Sequence, residues 1–229
     1  MSLLPTAARV RLDFAAASVV TLPFAVYLLV ARFVVAPTDD NWSRADPILR
    51  LLPRGAATWV VPLVGILAAA AWCWSARPPV EKIRAVLREV ALGVLVACVI
   101  VGTLRVAWGP RVPPFVPPEE SAGPGLLLNM AAGYGEEVLF RLVLLPLLFL
   151  ALASRVPRPV AVAVAVLATG LAFTLLHEPA SASWSPTLFT TRFLLPGCAM
   201  SMAALLRSPS FIVAAHCTAH LVVPLAFTG

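Results

Sequence analysis

Two adjacent carboxylates and a guanidinium interrupt a long apolar stretch of this sequence. Glu136, Glu137 and Arg141 lie within Gly125–Ala153, where most other side chains are apolar. Ionised side chains at bilayer depth cost roughly 2.5–3.5 kcal/mol each on insertion scales, so they usually have a function. On a helix Glu137 and Arg141 share a face and can pair, whereas Glu136 points about 100° away. A pair that only fixed helix packing would need one glutamate, so we expect a supporting Glu137–Arg141 pair and a Glu136 that takes part in chemistry.

All three histidines of the chain also belong to apolar segments. His177 closes one apolar run, and His216 and His220 are spaced i, i+4 in the last one. A single histidine in a helix is usually a packing residue, but here none of the three lies in a clearly polar loop. We therefore interpret Glu136 and the three histidines as one site.

One carboxylate and three imidazoles can support hydrolysis by two routes. In the first, Glu136 is the general base on a water that it holds together with His177. His216 and His220 then donate hydrogen bonds to the developing oxyanion, and the peptide bond is hydrolysed with no covalent intermediate and no cofactor. In the second, the same residues bind zinc, since an i, i+4 histidine pair lets one helix supply two ligands. Residues 217–219 include no glutamate, so the full H-E-x-x-H motif is absent.

Another arginine, Arg192, lies in an apolar run beside the expected site. Arginines in such positions generally extend toward the membrane surface or pair within the protein. Because of its place in the sequence, Arg192 is the candidate for binding a carboxylate of the substrate.

The composition is typical of a membrane protein, with 60% hydrophobic and 12% charged residues. A helix needs about 20 apolar residues to cross the hydrocarbon core, and the sequence offers seven such runs. We therefore predict an all-α, polytopic bundle of about seven transmembrane helices, with a kink or break near Pro146 in the long fourth run. The runs are Phe14–Ala36, Ala56–Trp74, Val86–Trp108, Gly125–Ala153, Val160–Leu176, Thr187–Leu206 and Ser210–Phe227.

The distribution of lysine and arginine predicts the orientation of this bundle. With a cytoplasmic N-terminus, nine of these residues fall in cytoplasmic segments and four outside, which favours that orientation. Glu136 is then near mid-membrane and His177 in the outer half, so the four site residues would meet in a cavity open to the extracytoplasmic side. The net charge of +6 reports this topology rather than a nucleic-acid partner.

Three motifs in this order resemble the CAAX-protease and bacteriocin-processing (CPBP, or Abi) family of intramembrane proteases. The family motif E-E-x-x-x-R matches residues 136–141, and F-x-x-x-H matches Phe173 to His177. The third motif, H-x-x-x-N in the prenyl-protein members, is met by His216 with His220 in place of the asparagine. The resemblance covers roughly Gly125–Gly229, and the first 120 residues match only as generic membrane helices.

The resemblance implies an intramembrane endopeptidase of the glutamic type, with residues 121–229 as catalytic core and residues 1–120 as three further helices. It implies that Glu136 is the base, His177 its partner on the water, and His216 and His220 the oxyanion side. The replacement of asparagine by His220 restores a potential zinc ligand and makes prenyl-CAAX specificity doubtful.

An outward-facing site suits the myxosortase-like branch, which removes C-terminal sorting tails from membrane-anchored proteins, here in a bacterial inner membrane. The alternative from another class is a non-enzymatic membrane protein, either an immunity factor or an ion pathway.

Overall fold

The computed structural model describes residues 4–34, 57–109, 133–177 and 189–227, together with Met130 and Pro186. These residues form seven helices and no strand, so the predicted all-α class is confirmed. The helices are α1 (Ala7–Val34), α2 (Ala57–Ser75), α3 (Val80–Trp108), α4 (133–153), α5 (Arg158–His177), α6 (189–206) and α7 (Pro209–Ala226).

The helices follow the predicted apolar runs, but two of them begin earlier than predicted. Helix α1 begins at Ala7 instead of Phe14, and α3 begins at Val80 instead of Val86. The added turns carry charges that the apolar pattern excluded, and these charges pair with one another. The buried carboxylate of Asp13 contacts Arg9 at 3.2 Å and also Lys82. Polar helical turns at the end of a bundle are therefore stable here because their ions are neutralised locally.

In the part of the chain that the structure describes, three helices are long and apolar enough to cross a membrane: Ala7–Val30, Val80–Ala107 and Arg158–His177. Shorter apolar helical segments occur at Pro62–Ser75, Arg192–Leu206 and Pro209–Val223. Exposed side chains such as Leu95, Val99 and Leu167 are large and apolar. A surface of this kind suits hydrocarbon as its solvent, as expected for a helical membrane bundle.

Polar contacts join the starts of α1 and α3 to the connection between α6 and α7. The guanidinium of Arg9 donates to the carbonyl of Leu206 at 2.8 Å. Arg207 forms an ion pair with Glu89 at 2.7 Å. Arg9, Lys82 and Arg207, which the sequence assigns to the cytoplasmic side, thus lie at one end of the bundle. We call this end, together with Glu89, the basic end.

Glycines allow close helix contacts at two places that hold the site-bearing helices. A Cβ on Gly93 of α3 would overlap the carbonyl oxygen of Phe211 on α7. Between α5 and α6, a Cβ on Gly170 would lie 2.7 Å from the Cys198 sulfur, and Gly197 packs against Gly170. Small residues of this kind let helices in membranes approach each other closely.

Helix α4 is irregular where the sequence predicted a kink or break. Its residues Glu137–Leu144 are π-helical, and an α-helix continues over Leu145–Ala153. Pro146 has no N–H to offer the carbonyl of Leu142 one turn earlier. The indole N–H of Trp72 on α2 donates to this carbonyl at 2.7 Å instead. The irregular turn therefore stays within the helix, with a side chain of another helix as hydrogen-bond donor.

Candidate active site

The adjacent glutamates of α4 differ in their ion-pair partners, as their angular offset predicts: Arg141 pairs with Glu137, and His177 contacts Glu136. Glu137 and Arg141 are both completely buried and form an ion pair, with Nη1 of Arg141 2.9 Å from Oε1 of Glu137. They lie in the π-helical turn, an irregularity that often marks functional sites. The predicted i, i+4 pair is thus present in the structure.

Arg141 also connects α4 to two neighbouring helices. Its Nη2 donates to the carbonyl oxygen of Pro196 on α6. The guanidinium lies over the ring of Phe173 on α5, with 4.6 Å between Cζ and the ring centroid. A buried arginine with a carboxylate, a carbonyl and an aromatic face as partners fixes the spacing of the three helices. No signal in the sequence identified Pro196, because its contribution is a backbone carbonyl.

Glu136 contacts His177, the residue that ends α5. Oε1 of Glu136 lies 3.1 Å from Nε2 of His177, and both side chains are nearly buried, with 7% and 8% exposure. Nδ1 of His177 lies 2.7 Å from the carbonyl oxygen of Phe173, which can only accept, so Nδ1 carries a hydrogen. The Nε2–Oε1 contact is then a hydrogen bond only when one proton is shared between the carboxyl and the imidazole. This pair can therefore hold and pass on a proton.

The ring of Phe173 supports the orientation of His177. The two rings are stacked with centroids 4.0 Å apart, and the same phenyl ring contacts Arg141. Phe173 is thus packed between the ion pair and the proton-holding pair. The sequence showed Phe173 only as a motif position, and its place against both groups emerges from the fold.

His216 on α7 joins the two glutamates. Its Nδ1 lies 2.7 Å from Oε1 of Glu137, and its Nε2 lies 3.7 Å from Oε2 of Glu136. Because Oε1 of Glu137 also accepts from Arg141, Nδ1 of His216 is the donor in this bond. The sequence did not predict that Glu137 would orient a histidine, since their separation of 79 residues leaves no local signal.

His220 completes the cluster one helical turn further along α7. Its Nε2 lies 3.1 Å from Nε2 of His216, so one hydrogen lies between the two rings. A Cβ on Gly133 would lie 2.8 Å from Cδ2 of His220, so the missing side chain at the start of α4 makes room for this imidazole. The structure thus brings together all four residues that the sequence grouped into one site.

Arg192 lies on the π-helical part of α6, which spans Phe189–Ala199. Its side chain is half-buried. The predicted binding of a substrate carboxylate by Arg192 stays a prediction.

Three residues of the cluster also form a donor set that suits a metal ion. Ligand atoms of Glu136, His216 and His220 all lie within 4.8 Å of one another. Glu137 behind His216 resembles the outer carboxylate that commonly orients a zinc-bound histidine. Both routes inferred from the sequence, with and without zinc, are therefore compatible with these residues.

The fold and the cluster define a helical membrane protein with a buried glutamate–histidine site. The family model of type II CAAX prenyl endopeptidase Rce1-like proteins matches residues 118–222, which contain all seven predicted site residues. Residues 118–222 therefore belong to the CAAX-protease family, and the resemblance seen in the motifs is confirmed at that level. The myxosortase-like subtype stays a prediction. No curated protein and no solved structure matches the chain significantly.

Proposed function

We propose that this protein is an intramembrane endopeptidase that uses Glu136 and His177 to activate water. The observation that carries this proposal is the buried Glu136–His177 pair, 3.1 Å apart, with His216 and His220 beside it. A general base has to be within hydrogen-bonding reach of the water whose proton it removes. The membership of residues 118–222 in a protease family supports the same reaction class.

The reaction follows from the proton accounting of the cluster. Water binds next to the Glu136–His177 pair, and the carboxylate removes one proton as the oxygen attacks the carbonyl carbon of the scissile bond. The hydrogen that lies between His216 and His220 is then donated to the oxyanion instead of to the neighbouring ring, and it stabilises the negative charge. When the C–N bond breaks, Glu136 transfers the proton to the leaving amine, which restores the carboxylate.

Glu137 and Arg141 have a supporting part in this proposal. Their ion pair compensates two charges in an apolar environment, and Glu137 fixes the ring of His216 through Nδ1. The Phe173 contact extends this support from Arg141 to His177. Arg192 would bind a carboxylate of the substrate, because it lies on α6, the helix whose Pro196 carbonyl accepts from Arg141.

A second mechanism uses zinc and the same residues. Glu136, His216 and His220 would hold the ion, and a bound zinc would lower the pKa of a coordinated water and polarise the scissile carbonyl. The ligand atoms of these three residues lie within 4.8 Å of one another, and this spacing supports them as the zinc ligands. Metal content measured together with activity distinguishes the two mechanisms.

The proposed substrate is a membrane-anchored protein that is cut near its C-terminus, on the outer side of a bacterial inner membrane. This orientation rests on the lysine and arginine distribution with a cytoplasmic N-terminus. The contacts of Arg9 and Arg207, which lie together at the basic end, are compatible with it. A sorting protease of the myxosortase type would act on such a substrate.

The test is a comparison of protein C-termini in cells that produce wild-type protein or the Glu136→Gln variant. Mass spectrometry should find a membrane-anchored protein whose C-terminus is shortened in cells with the wild type and is not shortened in cells with Glu136→Gln. Glu89→Gln, a change at the basic end, serves as the matched control and should leave the shortening intact. Identical C-termini in all three strains would contradict the proposal, as would shortening that persists in Glu136→Gln.

A further inference from the structure

A cavity of about 550 Å³ opens between α6 and α7 and ends at the candidate active site. Among the described residues, the lining has one ionisable side chain, His216, and is otherwise apolar. The apolar residues are Leu195, Pro196, Ala199, Met200, Ala203 and Ile212. Apart from His216, the side chains of this lining offer no hydrogen-bond partner for an extended peptide, so most of its backbone groups would remain unsatisfied. An occupant therefore has to be apolar and internally hydrogen-bonded, as a helix is.

The cavity has a direction relative to the site. From His216 it extends along α6 from Leu195 to Ala203, which is about 12 Å at the rise of a helix. Ala203 and Ile212 lie close to the α6–α7 connection, where Arg207 pairs with Glu89. The cavity thus leads from the site toward the basic end of the bundle.

The residues on the α6 side of the cavity are suited to contact with a helix. Ala199 and Ala203 are spaced i, i+4, and neither is fully buried. Small residues at this spacing permit the close backbone approach that drives helix association in membranes. A lipid chain needs no such approach, so the small side chains favour a helix as the occupant.

We propose that this cavity binds the first turns of the substrate's apolar transmembrane segment, on the C-terminal side of the scissile bond. The proposal rests on the proposed function, because a C-terminally anchored substrate runs from an outer cleavage site toward the cytoplasmic, basic end. The scissile bond then lies beside His216, and the apolar residues that follow it lie along Ala199 and Ala203. The cavity accordingly selects substrates whose cleavage site is followed directly by an apolar helix.

The test uses photo-cross-linking from the protein to a defined peptide in lipid nanodiscs. The probe is a biotinylated peptide with a short polar sequence, about 20 leucine and alanine residues and a lysine tail, a length that spans a bilayer. The protein carries Glu136→Gln to prevent turnover, and p-benzoylphenylalanine replaces Ala199. A matched protein carries the photoreactive residue at Leu171, which is exposed on α5 and does not line the cavity.

Cross-linking from position 199 should exceed that from position 171 at least about tenfold, the factor that burial of one large apolar side chain supplies. Mass spectrometry should locate the link in the first two turns of the apolar segment. Ala203→Trp, which fills the cavity, should reduce the cross-linking about tenfold, whereas Val164→Trp on the exposed face of α5 should not. If Ala203→Trp does not fold, the comparison of cross-linking from positions 199 and 171 in proteins with Ala203 unchanged still decides the question.

Equal cross-linking from both positions would overturn the inference, and so would a link in the polar sequence or the lysine tail. Lipid as the sole adduct at position 199 would also overturn it. These outcomes leave the proposed function standing as long as wild-type protein shortens its substrate and Glu136→Gln does not. Failure of that activity comparison would instead overturn the proposed function.

Discussion

Arg141 offers the sharpest test of how the site is supported. Its guanidinium is completely buried and contacts Glu137, the carbonyl of Pro196 and the ring of Phe173. Arg141→Ala would leave Glu137 buried with His216 as its remaining side-chain partner in the described structure. Removing one member of a buried pair typically costs about 3–5 kcal/mol, because the other charge is left uncompensated.

This cost should be measurable as a lower melting temperature of the purified protein in detergent micelles. At about 2–4 °C per kcal/mol for chains of this size, Arg141→Ala should melt roughly 6–20 °C below wild type. Size-exclusion chromatography after heating gives the melting curve. The double variant Glu137→Gln/Arg141→Met should recover part of the stability, since both charges are removed. Its activity should stay below that of wild type, because a neutral amide oxygen is a weaker acceptor for the Nδ1–H of His216 than a carboxylate is.

The matched control is Arg207→Ala, which breaks an ion pair of comparable geometry at the surface. Arg207 and Glu89 are 2.7 Å apart but have 47% and 30% exposed side chains. Partly exposed pairs contribute about 0–1 kcal/mol, so this variant should melt within about 4 °C of wild type. Arg141→Ala with the stability of Arg207→Ala would refute the reasoning that the buried pair supports the fold.

Three further predictions concern individual residues of the site and its orientation. Purified active wild-type protein should lack stoichiometric zinc, and His220→Asn should retain activity, since asparagine supplies the same donor. Stoichiometric zinc in the wild type that is lost together with activity in His220→Asn would favour the metal mechanism. Phe173→Leu should lower kcat more than it changes KM, because His177 loses its stacking partner. Phe173→Tyr keeps an aromatic ring and should retain most of the wild-type rate. A stable Phe173→Leu protein with wild-type kcat would show that Phe173 does not position His177. In a background without the four native cysteines, Ser183→Cys should react with an impermeant thiol reagent in intact cells; labelling that requires lysis would place the site on the cytoplasmic side.

The helices and the membership of the site were predictable because each has a local or compositional signal. Apolar runs gave all seven helices, and the missing first turns of α1 and α3 contain charges that pair only in the folded bundle. The i, i+4 spacing of Glu137 and Arg141 gave their ion pair directly. Restriction of the three histidines to apolar segments gave the cluster.

The connections within the site were not predictable, because they depend on tertiary contacts and backbone groups. The bond between His216 and Glu137 joins residues from α7 and α4. The carbonyls of Pro196 and Leu142 receive side-chain donors, and any residue type supplies a carbonyl. The role of Gly133 is the absence of a side chain beside His220, which becomes visible only when both helices are in place.

The catalytic role of Glu136 is the central claim, and the most direct measurement is the single-turnover cleavage rate of Glu136→Gln. The substrate is the protein found by the comparison of C-termini, reconstituted with purified enzyme in liposomes. Loss of a positioned general base should lower the rate about 10²–10⁴-fold while the melting temperature stays close to that of wild type. A Glu136→Gln enzyme that cleaves at the wild-type rate would contradict the account.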